Sequence, residues 1–239
     1  MTVRLLVSVR NAGEALEAAE AGADFIDLKE PADGALGALP PERIAQIVAV
    51  LRAGWRGVRI SATVGDLPAH EQAEILRRVR RVAACGVDYV KVGLWPAAPA
   101  ASRALLDALA ACPAKVVPVL VADAGVDPAL VSYALARAAF PALMLDTAQK
   151  GRGSLLQRLP LPVLAGFVEK VHAGGALAGL AGSLRADDAS ALRALAPDFA
   201  GFRGAVTRGE RSAALDPRRV RLLRRRLAAG TRAPLAAAA

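Results

Sequence analysis

The chain has 239 residues, 54% of them hydrophobic and 22% charged, with a formal net charge of +9. That is long enough for one domain with a real core, and it excludes general disorder. No apolar run approaches the ~20 residues of a membrane span, so no membrane partner is expected.

The N-terminus is apolar only from Leu5 to Val9 before Arg10 interrupts it, too short for a signal-peptide core, and a cytoplasmic location is expected. Short β-like runs then alternate with amphipathic helical stretches. The candidate strands are Leu5–Val9, Asp24–Lys29, Val58–Val64, Tyr89–Leu94, Val116–Ala122, Ala142–Thr147, Leu177–Gly182 and Phe199–Ala205. Helices are predicted near 13–21, 41–53, 69–84, 99–111, 128–138, 160–173, 187–195 and 217–228. Pro41, Pro128 and Pro217 sit at first-turn positions. Eight strands and eight helices in this length match a (β/α)8 TIM barrel over 1–230, followed by a disordered tail over 231–239. The competing doubly wound sheet would carry GxGxxG in its first βα turn, but Ser8-Val9-Arg10-Asn11-Ala12-Gly13 does not. An internal echo, Gly22–Lys29 against Gly86–Gly93, sets Asp27 and Lys91 on equivalent rungs of the second and fourth strands.

Cys85 and Cys112 form no CxxC pair, and His70 and His172 are the only histidines. A cysteine-built or multi-histidine metal centre is therefore excluded. Six arginines from Arg218 to Arg226 lie on the last predicted helix, with Val220, Leu222, Leu223 and Leu227 at helical spacing. No aromatic residue interleaves with them to stack a base, so a solvated face outside the barrel is expected rather than a nucleic-acid partner.

Arginine outnumbers lysine by 26 to 5, so the placement of each lysine is informative. Lys29 and Lys91 fall toward the C-terminal ends of their strands and Lys150 just past the sixth, where a barrel carries its chemistry. Lysine can lose its proton in an enclosed site and attack a carbonyl, which arginine cannot do. Asp27 shares the face of Lys29 two residues on, and Asp146 ends the apolar sixth strand with the parity of Met144. Lys115 and Lys170 fall at the barrel bottom and on a helix, away from this cluster. Small residues at Gly182, Ser183 and Gly204, beside Arg203, follow the last two strands, the usual anion site of this architecture. The Gly151–Ser154 loop is either a second phosphate position or a flexible turn.

The run Ile26-Asp27-Leu28-Lys29-Glu30-Pro31 is followed by Gly34-Ala35-Leu36-Gly37, Ser61-Ala62-Thr63-Val64-Gly65-Asp66, Tyr89-Val90-Lys91-Val92-Gly93-Leu94, Leu145-Asp146-Thr147-Ala148-Gln149-Lys150, Leu180-Ala181-Gly182-Ser183 and Arg203-Gly204-Ala205. In that order, across nearly the whole chain, these resemble the (5-formylfuran-3-yl)methyl phosphate synthases of methanofuran biosynthesis, known from methanogens and methylotrophic bacteria. Glu30 departs from the Asn of archaeal members. The resemblance implies a lyase that condenses two glyceraldehyde 3-phosphates into a phosphorylated furan aldehyde with loss of phosphate and water. It implies Lys29 as the Schiff-base lysine, Lys91 as the proton-transferring lysine, and Asp27, Asp146 and Lys150 as further catalytic groups. An imine is its own electron sink, so no cofactor is expected, and the partner is a small triose phosphate. Two other readings stay open: an imine-forming aldolase on another sugar phosphate, and a non-catalytic anion- or nucleic-acid-binding barrel. A homo-oligomer is neither required nor excluded.

Overall fold

A computed structural model describes residues 2–96, 98–149 and 151–228. Eight parallel strands close on themselves in chain order, with the first bonded to both the second and the eighth. They are β1 (Arg4–Val9), β2 (Phe25–Leu28), β3 (Arg59–Thr63), β4 (Tyr89–Leu94), β5 (Val116–Val121), β6 (Ala142–Asp146), β7 (Leu177–Leu180) and β8 (Phe199–Phe202). The helices are α1 (Ala12–Glu20), α2 (Pro41–Gly54), α3 (Gln72–Ala84), α4 (Pro99–Ala110), α5 (Pro128–Leu135), α6 (Leu155–Arg158), α7 (Leu161–Ala173), α8 (Ala189–Leu195) and α9 (Pro217–Ala228). This is the expected (β/α)8 barrel. The tail expected over 231–239 lies outside the described residues. No helix among the described residues is long and apolar enough to cross a membrane.

The helix starts follow local chemistry. Asn11 accepts from the Glu14 N–H to cap α1, and Asp127 accepts from the Ala129 N–H ahead of Pro128 in α5. Alternation along each strand sorts the core into two shells. Ile26, Leu28, Val90 and Val92 pack outward under the helices. Leu6, Phe25, Val119, Met144 and Phe199 fill the barrel interior, with the Phe25 and Phe199 rings 5.3 Å apart between centroids. Above this apolar plug, at the C-terminal mouth, β1, β2, β4 and β6 present the polar residues Ser8, Asp27, Lys91 and Asp146.

Three departures from expectation bear on the loops around the mouth. The helix expected from residue 69 starts at Gln72, because Glu71 has ψ 38 and leaves the helical region. A short helix, α6, follows the β6 loop, its Ser154 N–H bonded to the Gln157 side chain. The eighth strand stops at Phe202: Arg203 turns the chain at φ −133, ψ −67 into a 3-10 turn over Gly204–Val206. The reason is tertiary, since the Arg203 side chain is drawn sideways to Glu14 on α1.

Candidate active site

Asp27 is fully buried on β2. Its carboxylate accepts from Ser61 Oγ at 2.6 Å and Ser8 Oγ at 3.2 Å, and Lys91 Nζ lies 3.0 Å from its Oδ1. Strands β2 and β3 align Asp27 with Ser61, and β3 and β4 align Ser61 with Tyr89. Lys91 thus stands one inward rung above Asp27 across the intervening strand, rather than level with it. The lysine side chain reaches down to span that rung. Burial pushes the Asp27 carboxyl up, but the charges of Lys91 and Lys29 and the Ser61 hydroxyl outweigh it, so the group sits below the usual aspartate value.

Lys29 follows β2 directly and is 7% exposed. Its ammonium donates to the Ala35 carbonyl at 3.2 Å and lies 3.9 Å from Asp146 Oδ2. Asp146, on the last residue of β6, also accepts from the Thr147 N–H at 2.7 Å. Two lysines and two aspartates, all nearly excluded from water, thus interlock across β2, β4 and β6. In so dry a setting the charges interact strongly.

The loops that frame these groups are fixed by carboxylates. Asp66 accepts from both the Ala35 and Leu36 N–H groups at 2.8 Å, and Thr63 Oγ1 donates to the Gly37 carbonyl. The β2 loop is thereby folded over Lys29. Gly34 enters it at φ +104, and a Cβ there would collide with the Asp66 carboxylate. Glu30 caps the turn over Pro31–Asp33 and pairs with Arg10 at 2.9 Å, so the residue that departs from the archaeal pattern has a local partner of its own. Asp123, after β5, accepts from the Ala148 and Gln149 N–H groups and pairs with Arg158, which orders the β6 loop.

Lys29, Lys91, Asp27 and Asp146 line one cavity of about 640 Å³, whose wall also contains Gly182, Ser183, Arg203 and Gly204. The structure therefore brings both groups of expected residues into one space, with the exception of Lys150, which lies outside the described residues. Gly182 has φ +106, and a Cβ there would come within 2.8 Å of Thr147 Oγ1. Arg203 takes a different part from the one its position suggests. Its guanidinium forms a two-pronged pair with Glu14 at 2.6 and 3.1 Å, and it donates to the carbonyls of Ser8, Arg211 and Ala213. All five N–H donors are thus engaged, so an anion at this loop would meet backbone N–H groups instead. Arg219, expected on a solvated face away from the strand ends, also lines the cavity. Helix α9 begins at the mouth, so its first turn borders the site, while Arg224 pairs with Asp24 ahead of β2 and Arg226 with Asp187 in the turn after β7. Lys115 is exposed and Lys170 lies on α7. Among the described residues no group of three or more His, Cys, Asp or Glu is arranged to hold a metal.

A closed barrel with lysines and carboxylates buried at its C-terminal mouth, beside glycine-rich loops after β7 and β8, is the architecture of a barrel enzyme. The family profile described as 4-HFC-P synthase matches residues 5–224, and the chain belongs to that family. A (5-formylfuran-3-yl)methyl phosphate synthase of Methanopyrus kandleri is 38% identical, covering 89% of this chain and 93% of its own. A protein of Methylorubrum extorquens, which carries the same enzyme name provisionally, is 43% identical over 98% of this chain and 95% of its own. Among solved structures, a monomeric form of the dimeric phosphoribosylanthranilate isomerase from Thermotoga maritima superposes with a TM-score of 0.63 at 16% identity, covering 95% of this chain and 98% of that one, a likeness of fold.

Sequence reasoning gave no role to Ser8, Asp66, Asp123 or Arg211. Ser61 and Asp66 stood inside a quoted motif, and their type, a hydroxyl and a carboxylate flanking an apolar strand, was the available signal. Ser8 has the inward parity of Leu6 on β1. Asp123 and Arg211 lie in loops and carry no periodic signal at all.

Proposed function

We propose that the protein condenses two molecules of glyceraldehyde 3-phosphate into (5-formylfuran-3-yl)methyl phosphate, releasing one phosphate and two waters. The observation that carries this reading is the enclosure of Lys29, Lys91, Asp27 and Asp146 in the cavity that also reaches the anion-suited loops after β7 and β8. Lys29, as the neutral amine, adds to the aldehyde carbon of one triose phosphate and loses water to form an imine. The protonated imine draws electrons from the adjacent carbon, so a base removes the proton there. The resulting enamine can expel phosphate from the next carbon or attack the aldehyde of the second triose. Ring closure and loss of water then complete the aromatic furan. Lys91, bonded to Asp27, is the proton carrier on one side of the imine, and Asp146 stands on the other. Lys150, in the same motif as Asp146, is assigned with them by the family resemblance. One phosphate binds the backbone around Gly182, Ser183 and Gly204.

The test is incubation with glyceraldehyde 3-phosphate while inorganic phosphate and furan ultraviolet absorbance are followed together. Equal amounts of both are expected. Phosphate release with no furan absorbance, or an aldol product that keeps both phosphates, refutes the reading.

A further inference from the structure

The segment between the 3-10 turn of Gly204–Val206 and α9 crosses the mouth of the barrel as a pinned strap. Thr207 pairs with Leu215 in an antiparallel bridge at its base. Arg203 holds the carbonyls of Arg211 and Ala213, and Arg10 holds that of Ser212. Those two arginines are anchored in turn by Glu14 and Glu30. The strap is therefore fixed by its backbone, and the side chain at its centre is Arg211.

Arg211 differs from the other arginines in the cavity wall. Arg203 is buried, but its five donors are all spent. Arg185 and Arg219 are exposed, so water satisfies them at little cost. Arg211 is partly buried, and its one hydrogen bond among the described residues runs from Nη2 to the Gly34 carbonyl at 2.8 Å. It forms no ion pair among the described residues, although Asp146, Asp66 and Glu30 are near enough to act on it and the charge of Arg203 opposes it; burial is the largest influence and pushes its pKa down. Four N–H donors on a partly desolvated guanidinium are costly unless something accepts from them. The guanidinium fork matches a phosphate dianion, which can take two of those donors at once. Gly34 is next to Ala35, the acceptor of the Lys29 ammonium, so Arg211 stands on the β2 side of the cavity, toward Lys29. Arg152, in the alternative loop after Lys150, is exposed and forms no part of the cavity wall.

We propose that Arg211 is the phosphate-binding residue of a second anion subsite, on the β2 side of the barrel mouth, which takes the phosphate of the triose whose aldehyde meets Lys29. The assignment rests on the reading of Lys29 as an imine-forming lysine acting on triose phosphates. A reaction that joins two triose phosphates needs a second phosphate position beyond the β7 and β8 loops, and this one lies beside the nucleophile.

The experiment compares borohydride trapping at Lys29 by glyceraldehyde 3-phosphate and by glyceraldehyde, which lacks the phosphate, in the wild type, Arg211→Gln and Arg211→Lys. Arg211→Gln should lower the trapping efficiency with the phosphorylated aldehyde at least ~10-fold and change that with glyceraldehyde less than ~2-fold, and Arg211→Lys should fall between. Calorimetric titration with inorganic phosphate, which needs no turnover, should show binding weakened by at least ~10-fold in Arg211→Gln. Equal losses with both aldehydes, or unchanged phosphate affinity, overturn the assignment. A wild type that binds phosphate through Arg211 yet makes no furan would remove the proposed reaction and leave the subsite standing.

Discussion

Replacing Asp27 with Asn tests the buried centre most directly. The amide keeps the shape and can still meet the hydroxyls of Ser8 and Ser61. What it removes is the counter-charge of Lys91, whose Nζ is 3.0 Å away and whose side chain is 3% exposed. Deleting one partner of such a pair costs about 3–5 kcal/mol, because the remaining charge stays buried. For a chain of this size that lowers the melting temperature by about 6–20 °C. Adding Lys91→Met should recover most of the loss, since no uncompensated charge then remains. The pH dependence follows from the lowered pKa of Asp27. Its ionised form stabilises the fold above the unfolded value of about 3.9, and that contribution is lost as pH falls through the lower folded value. The gap between the wild type and Asp27→Asn should therefore be constant above about pH 5 and close at more acid pH. Thermal unfolding followed by circular dichroism across pH, beside furan formation at neutral pH, reads both effects. Turnover should fall by about 10²–10⁴ if the carboxylate takes part in proton transfer. The reasoning fails if Asp27→Asn melts with the wild type, or if the double variant is no more stable than the single one.

Lys29→Arg should abolish turnover with the fold intact, because arginine keeps the charge but offers no amine lone pair; in the wild type, borohydride with glyceraldehyde 3-phosphate should mark Lys29, and a mass adduct only on Lys115 or Lys170 would contradict the assignment. Gly204→Asp has open space for its side chain, so the protein should fold normally while KM for the triose phosphate rises ~10-fold or more through repulsion of the anion; an unchanged KM moves the phosphate elsewhere. On α9, Leu223 is 1% exposed and Leu222 is 43% exposed, so of the two only Leu223 belongs to the packed apolar face. Leu223→Ala should cost about 2–5 kcal/mol in denaturant unfolding, and Leu222→Ala should stay within about 0.5 kcal/mol; equal costs would mean the helix is seated differently.

The sequence by itself was enough for the barrel and for grouping most of the charged residues at its mouth. Strand alternation, first-turn prolines and the scarcity of lysine are local signals, and a closed parallel barrel turns them into position almost mechanically. Two residues apart on a strand means the same face, and a strand's C-terminal end means the mouth. That is why Asp27, Lys29, Lys91 and Asp146 could be grouped before any distance was known. Only the tertiary structure decided what each loop residue does. Arg203 and Arg211 are eight positions apart in one segment, and nothing in their neighbours tells them apart. One is drawn to Glu14, almost two hundred residues away in sequence, and gives up all its donors; the other is held over the cavity with most of its donors unspent. The one-rung offset between Asp27 and Lys91 likewise depends on the register of the strand between them, and the burial of Leu223 over Leu222 on how α9 is rotated against the barrel. Such long-range partners and relative rotations are set by how elements pack, and local sequence carries no record of them.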